Sequence, residues 1–233
     1  MKIAVIGDLH CTRESGPEMR QLLEGVVGSD VLLLAGDLTN LGKPEEMEVL
    51  LGEFKHLSMP ILAVAGNHDF ENGCMPQLAE MMHARGVTYL DGSSHRIEDT
   101  DFVGTKGFAG GFGKERLQSF GEPALKSFVM AAIEEVLRFE GALKSSTATR
   151  KVALLHYAPI RDTLLGENPE VYPFLGSSLY EEVLDTHEVD IAFHAHAHNG
   201  APEGRTKSGI SVHNVSRFVR TRDGLPPALL VDL

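Results

Sequence analysis

The sequence predicts an α/β fold built on a parallel sheet. Short apolar runs recur through the first third of the chain, at Ile3–Ile6, Val31–Ala35 and Ile61–Ala65. Each run leads into a segment of helical character. The runs are near-continuous in Val, Ile, Leu and Ala rather than alternating, which is the pattern of strands covered on both faces.

Taken in order, Ile3–Ile6 is the first strand and Gly16 to Val27 the first helix, with Pro17 in its first turn. Val31–Ala35 is followed by a helix over Lys43 to Leu57, and Ile61–Ala65 by a helix over Met75 to Arg85. The middle changes character. Val87–Leu90, Ser94–Glu98 and Phe102–Thr105 are short runs divided by Asp91-Gly92 and Asp99–Asp101, which predicts an antiparallel meander. Glycines crowd 104–113, and a long amphipathic helix spans Pro123 to Leu143. Val152–Leu155 and Val189–Phe193 are buried strands with a helix near Ser178–Thr186 between them. Ile210–Val215 and Ala228–Val231, around Asp223-Gly224, suggest a closing hairpin. No Pro/Ser-rich linker divides the chain, so residues 1–233 are expected to form one domain.

Composition bounds the function. With 33 acidic and 21 basic side chains, the formal net charge is −12, which argues against extended nucleic-acid binding and against a basic membrane-surface protein. Hydrophobic residues make up 42% and charged residues 23%, a balance that excludes disorder. No apolar stretch approaches the ~20 residues of a membrane span. The first strand begins almost at Met1, which leaves no room for a targeting segment. Two cysteines, Cys11 and Cys74, cannot build a disulfide framework. They fit a reducing compartment, and a cytoplasmic location is expected. Oligomeric state is left open, a homo-oligomer included.

Chemistry gathers where the apolar runs end. The first leads into Gly7-Asp8-Leu9-His10 and the second into Gly36-Asp37. The third leads into Gly66-Asn67-His68-Asp69, the fourth into His156 and the fifth into His194-Ala195-His196-Ala197-His198. In a parallel sheet the strand C-termini share one edge, and ligands bind there. Asp8 and His10, like His196 and His198, are two apart, so in extended chain each pair faces one side. The glycines before them suit tight turns. Carboxylate, amide oxygen and imidazole together suit two divalent metals such as Mn²⁺, Fe or Zn²⁺.

The ordered set Asp8-x-His10, Gly36-Asp37, Gly66-Asn67-His68-Asp69, His156 and Ala195-His196-x-His198 resembles the calcineurin-like metallophosphoesterase superfamily. The resemblance spans most of the chain. It implies a four-layer α-β-β-α sandwich of two mixed β-sheets, with the metal site at the strand C-terminal edge. It also implies two divalent metal ions. Asp8, His10, Asp37 and His198 would hold the first, and Asp37, Asn67, His156 and His196 the second, with Asp37 bridging. His68 would stand beside the scissile phosphate, with Asp69 orienting it. The chain departs from the family in one place: Ala195 stands where glycine is usual. A methyl group is accommodated there if φ stays negative. His194 shares the side of His196 but lies deeper in the strand, either in the core behind the ligands or in contact with the site.

The function implied is hydrolysis of a small phosphodiester, cyclic nucleotides among the candidates, by a hydroxide bridging the two metals while His68 assists the leaving group. A phosphomonoesterase acting on a small phosphorylated metabolite is the nearest alternative. A catalytically silent scaffold is disfavoured because every ligand position is kept, and a nuclease because of the negative charge. Arg161 and Asn40, just beyond the metal motifs, are candidate substrate contacts, with Arg13 behind them. Gly104–Lys114 is not a phosphate loop of the Walker type, since Glu115 follows Lys114. It is either a loop facing the site or a tight crossing. Leu164–Leu175 is a lid, a subunit contact or a packing loop. Cys11 is a packed side chain rather than a thiolate ligand.

Overall fold

A computed structural model describes residues 1–233. Two mixed sheets face each other. The first contains β1 (Lys2–Ile6), β2 (Val31–Ala35), β3 (Ile61–Val64) and β4 (Val87–Tyr89), all parallel. The second begins with β5 (Ser93–Ile97), β6 (Thr100–Gly104), β7 (Arg150–Leu154) and β8 (Ile191–His194). It ends with β9 (Glu203–Arg205) and β10 (Ser211–Asn214), in the order β5-β6-β7-β8-β10-β9. The last strand, β11 (Leu229–Asp232), returns to the first sheet and pairs antiparallel with β1.

Alternation within the strands builds the layers. On β1, Ile3 and Val5 point between the sheets, where they join Leu33 and Val64 and meet Phe102, Leu154 and Phe193 of the second sheet. Ala4 and Ile6 point outward, against Met19 and Leu23 of α1 (Gly16–Glu24). Met47 and Leu50 of α2 (Pro44–Glu53) and Leu78 and Met82 of α3 (Met75–Ala84) complete that layer. On the far side, Val103, Ala153 and Ala192 pack against two helices. These are α4 (Pro123–Ser145), through Val136 and Phe139, and α6 (Ser178–Thr186), through Tyr180 and Leu184. A four-residue helix, α5 (Tyr172–Leu175), lies between them in sequence. The result is the expected α-β-β-α sandwich. The inner strands β1, β2, β3 and β8 are near-continuously apolar because both of their faces are covered, whereas the outer strands β5 and β9 are polar and exposed. No helix is long and apolar enough to cross a membrane.

Two sequence expectations are corrected. The middle strands are not one meander. Val87 pairs with Ile61 in the first sheet and lies in its helix-facing core, so Asp91-Gly92 is the crossing between sheets. Only β5 and β6 form a hairpin. The C-terminal segments do not pair either. A helix, α7 (Arg217–Arg222), follows β10, and Gly224 at φ 71° ends that helix rather than turning a hairpin. The chain then crosses to β11, whose partner is β1.

Candidate metal centre

The strand ends of both sheets meet at one edge. The first sheet presents Asp8, His10, Asp37 and Asn67, and the second His156, His196 and His198. Ligand-type atoms of Asp8, His10, Asp37 and His198 lie within 4.8 Å of one another, and so do those of Asp37, His156 and His196. Asp37 belongs to both groups. Asn67 joins the second, with Oδ1 3.0 Å from His156 Nε2.

The local backbone is unusual. Six non-glycine residues have positive φ, and four of them are Asp8 (58°), His10 (45°), Asp37 (49°) and His196 (68°). Each such residue costs roughly 1–3 kcal/mol, and surrounding contacts must hold it there. The paired residues therefore converge through left-handed turns, not through the extended chain that their spacing suggested. Two of the three glycines also serve a different purpose from a turn. Gly36 does have positive φ (83°). Gly66 is needed because a Cβ there would lie 2.1 Å from Asp37 Oδ1. A Cβ on Gly7 would lie 2.4 Å from the Ala195 methyl, so the alanine departing from the family pattern is accommodated by a glycine opposite.

The donor set fits cations. His156 Nδ1 donates to the Ala35 carbonyl (2.9 Å), which fixes the tautomer and leaves the Nε2 lone pair toward Asn67 Oδ1 and, at 3.4 Å, Asp37 Oδ1. His10 Nε2 is buried without a hydrogen-bond partner, 3.6 Å from Asp37 Oδ2. His196 Nε2 donates to the Phe174 carbonyl at 3.3 Å, which leaves Nδ1 with its lone pair. Lone pairs that face lone pairs in a buried space call for positive charge. Burial pulls His10 down to about 4 and also lowers His156 and His196, so these rings are neutral near pH 7, as ligation requires. Burial acts against the charge on His198, but its hydrogen bond to Asp8 raises it on balance. For Asp8, burial is outweighed by His198 and His156, and its carboxyl falls below the usual range. Burial and the charges of Asp8 and Asp69 push Asp37 well above it.

The two expected catalytic residues separate. The His68 backbone N–H donates to Asp37 Oδ1 (2.9 Å), and its Nδ1 meets the Asn40 carbonyl at 2.7 Å. A carbonyl only accepts, so Nδ1 carries a proton and Nε2 is the nitrogen free to exchange one. The Asp69 carboxylate does not touch the His68 ring. It accepts from the Leu38, Thr39 and Gly66 backbone N–H groups and from Thr39 Oγ1, all at 2.6–3.2 Å. Orientation of His68 thus falls to Asn40, through its backbone. Asp69 instead ties together the loops that carry Asp37 and Asn67.

Of the other candidates, Arg13 pairs with Glu45. Arg161 is stacked 5.5 Å from the Tyr172 ring centre and lines a cavity of about 420 Å³ with Arg205 and Lys207, a cavity that none of the residues of the two ligand clusters lines. Burial pushes the Cys11 thiol up to about 12, so it is a packed thiol. His194 hydrogen-bonds Thr163 Oγ1 (2.8 Å) in the core. Sequence reasoning missed Arg217 and Phe218. Arg217 Nε donates to the Asp8 carbonyl (2.9 Å), and its Nη1 pairs with Glu18. The Phe218 ring centre lies 4.6 Å from that of His198. Both follow β10, a strand end at the same edge. The hairpin expectation hid that signal.

A family model of calcineurin-like phosphoesterases matches residues 1–200. The chain belongs to this family. Calcineurin-like phosphoesterases are metal-dependent hydrolases of phosphate esters and typically carry two metals, in keeping with the two ligand clusters here. One crystal structure matches with a TM-score of 0.64 at 14% identity, over 94% of this chain and 91% of its own. TT1561 of Thermus thermophilus matches with a TM-score of 0.54 at 15% identity, over 94% and 90%. A candidate 5'-nucleotidase from Staphylococcus aureus, solved with alpha-ketoglutarate, matches with a TM-score of 0.54 at 14% identity, over 91% of this chain and 48% of its own. At these identities the likeness is one of fold. No curated protein matches the sequence.

Proposed function

We propose that this phosphoesterase cleaves phosphodiesters, with Asp8, His10, Asp37 and His198 holding one divalent ion and Asp37, Asn67, His156 and His196 the other. The observation that carries the diester reading is the absence of an uncommitted guanidinium at the ligand cluster. Arg217, the arginine beside Asp8, is engaged by Glu18 and the Asp8 carbonyl, Arg13 by Glu45, and Arg161 lies over Tyr172. A monoester dianion carries an extra charge that arginine forks usually grip. A diester carries one charge and a second organic group, and exposed Phe70, Phe174 and Phe218 offer that group apolar surface.

Bound divalent ions supply Lewis acidity and lower the pKa of water, which is what phosphate ester cleavage needs. The chain's own residues do the rest. His68, protonated at Nδ1 and held by the Asn40 carbonyl, uses Nε2–H to protonate the departing alkoxide. The His156 and His196 rings are oriented by the Ala35 and Phe174 carbonyls. The mixed nitrogen and oxygen donors suit Mn²⁺, Fe or Zn²⁺. Two free thiols suit a reducing, cytoplasmic setting. A net charge of −12 suits a small substrate rather than extended nucleic acid.

The test is a panel of phosphodiesters, cyclic nucleotides and phosphomonoesters assayed with Mn²⁺, Zn²⁺, Fe²⁺ and Mg²⁺. Higher kcat/KM on diesters is expected. Preference for monoesters with every metal would overturn the diester assignment.

A further inference from the structure

Lys106 is a half-buried cation without an acidic partner in a chain rich in acid: no carboxylate lies within ion-pair distance of its ammonium. Its one hydrogen bond is to the Gly107 carbonyl, at 2.6 Å, which leaves two N–H donors unspent. Three rings surround it, with Nζ 4.7 Å from the centre of Phe108, 5.2 Å from Tyr157 and 5.6 Å from Phe70.

Those rings connect Lys106 to the metal centre from both sheets. Phe70 closes the 3₁₀ turn that begins with His68. The Tyr157 ring centre lies 4.5 Å from that of His196, and the His156 and Tyr157 backbone N–H groups both donate to the Lys106 carbonyl at 3.0 Å. Lys106 and His196 thus contact the same ring, Tyr157, while the ammonium is not itself part of the ligand cluster. A cation placed beside the cluster rather than in it suits another part of the substrate than the ester being cleaved. Apolar walls raise the worth of a charge-assisted hydrogen bond there, because water competes less.

We propose that Lys106 recognises a second anionic group on the substrate, a phosphate, sulfonate or carboxylate carried by the ester arm on the His156 and His196 side. The proposal rests on the phosphodiesterase reading above and narrows its substrate class to diesters bearing an additional negative charge.

Metal-loaded protein is assayed on two p-nitrophenyl phosphodiesters, one with an ethyl and one with a 2-sulfoethyl second arm. Wild type should favour the sulfoethyl ester by about tenfold in kcat/KM, through KM, which matches the lower range for a hydrogen bond to a charged group. In Lys106→Met, which keeps the stem and loses the charge, the ratio should fall to near one, and Lys106→Arg should retain it. An unchanged ratio in Lys106→Met, or no preference in wild type, overturns the proposal. Equal loss on both esters would make the aromatic box structural and overturns it too. Calorimetric binding of the matching ethyl and 2-sulfoethyl phenylphosphonates needs no turnover. If wild type hydrolyses neither ester yet binds the sulfoethyl compound tighter through Lys106, the anion site stands and the phosphodiesterase reading falls.

Discussion

His68 and Asp69 are neighbours in sequence with different work to do. The His68 ring keeps Nε2 free of any hydrogen-bond partner, while its backbone N–H, not its ring, supports Asp37. Replacing the ring leaves that backbone donor in place, so His68→Ala should keep both metals by elemental analysis. Its rate on alkyl esters should fall about 10²–10⁴-fold, the usual worth of a general acid. On nitrophenyl esters, whose leaving group needs no proton, the loss should be far smaller. Equal losses on both would make His68 a positioning residue. Asp69→Ala should behave otherwise. It strands three buried N–H groups and a hydroxyl, so the urea midpoint should drop by the equivalent of about 3 kcal/mol, and metal content should fall with it. A stable, metal-replete Asp69→Ala with a His68-like rate defect would restore the orienting role that the sequence suggested. The motifs pointed to side chains that the fold gathers at one edge. They could not distribute their hydrogen bonds, because Asn40 acts through a backbone carbonyl that any residue would supply.

Strand ends act as the mounting points, and their tolerances are set by close approach. Gly66 abuts the Asp37 carboxylate, the group common to both ligand clusters. The Cβ of Gly66→Ala cannot be absorbed by a flexible side chain, since the Asp37 backbone nitrogen is also only 2.3 Å away. Gly66→Ala should therefore lose both metals, as Asp37→Ala should, whereas His10→Ala should empty mainly the first position and His156→Ala the second. Metal counts per chain decide it, and two tightly held ions in Gly66→Ala would refute the contact. The strands β1, β2, β3, β7 and β8 were readable because apolar runs covered on both faces are unmistakable. The short ones were located, but the partners of Val87–Tyr89 and of the C-terminal strands were not. Val87–Tyr89 has three residues, and only its parallel register with Ile61–Ala63 tells it from a meander strand. The C-terminal segments misled for a similar reason: Asp223-Gly224 is turn chemistry, and a helix C-cap uses the same residues as a hairpin.

Across the whole molecule, the candidate metal centre lies where two sheets, packed mainly through apolar contact, bring their strand ends together. Asp8 and Asp37 come from one sheet, His156 and His196 from the other, so ions bound between them should stabilise the fold as any ligand of the native state does. The dependence on pH follows from the acid pair. Without metal, Asp8 and Asp37 release their first proton readily and hold the second, since burial and mutual repulsion raise Asp37 above its unfolded value. A carboxyl raised on folding binds more protons in the native than in the unfolded state, so it erodes stability as pH climbs above the ordinary carboxylate range. Metal binding removes that penalty by holding both groups ionised. Chelator-stripped wild type should therefore lose Tm relative to chelator-stripped Asp37→Asn as pH rises from 6 to 8, a comparison in which the depressed His10, His156 and His196 are common to both, and the gain in Tm on adding Mn²⁺ should be larger at pH 8. The same linkage requires proton release when metal binds near pH 7, visible as a buffer-dependent calorimetric enthalpy. A Tm gain that shrinks from pH 6 to pH 8, or binding without proton release, would mean that the apo centre is already fully ionised.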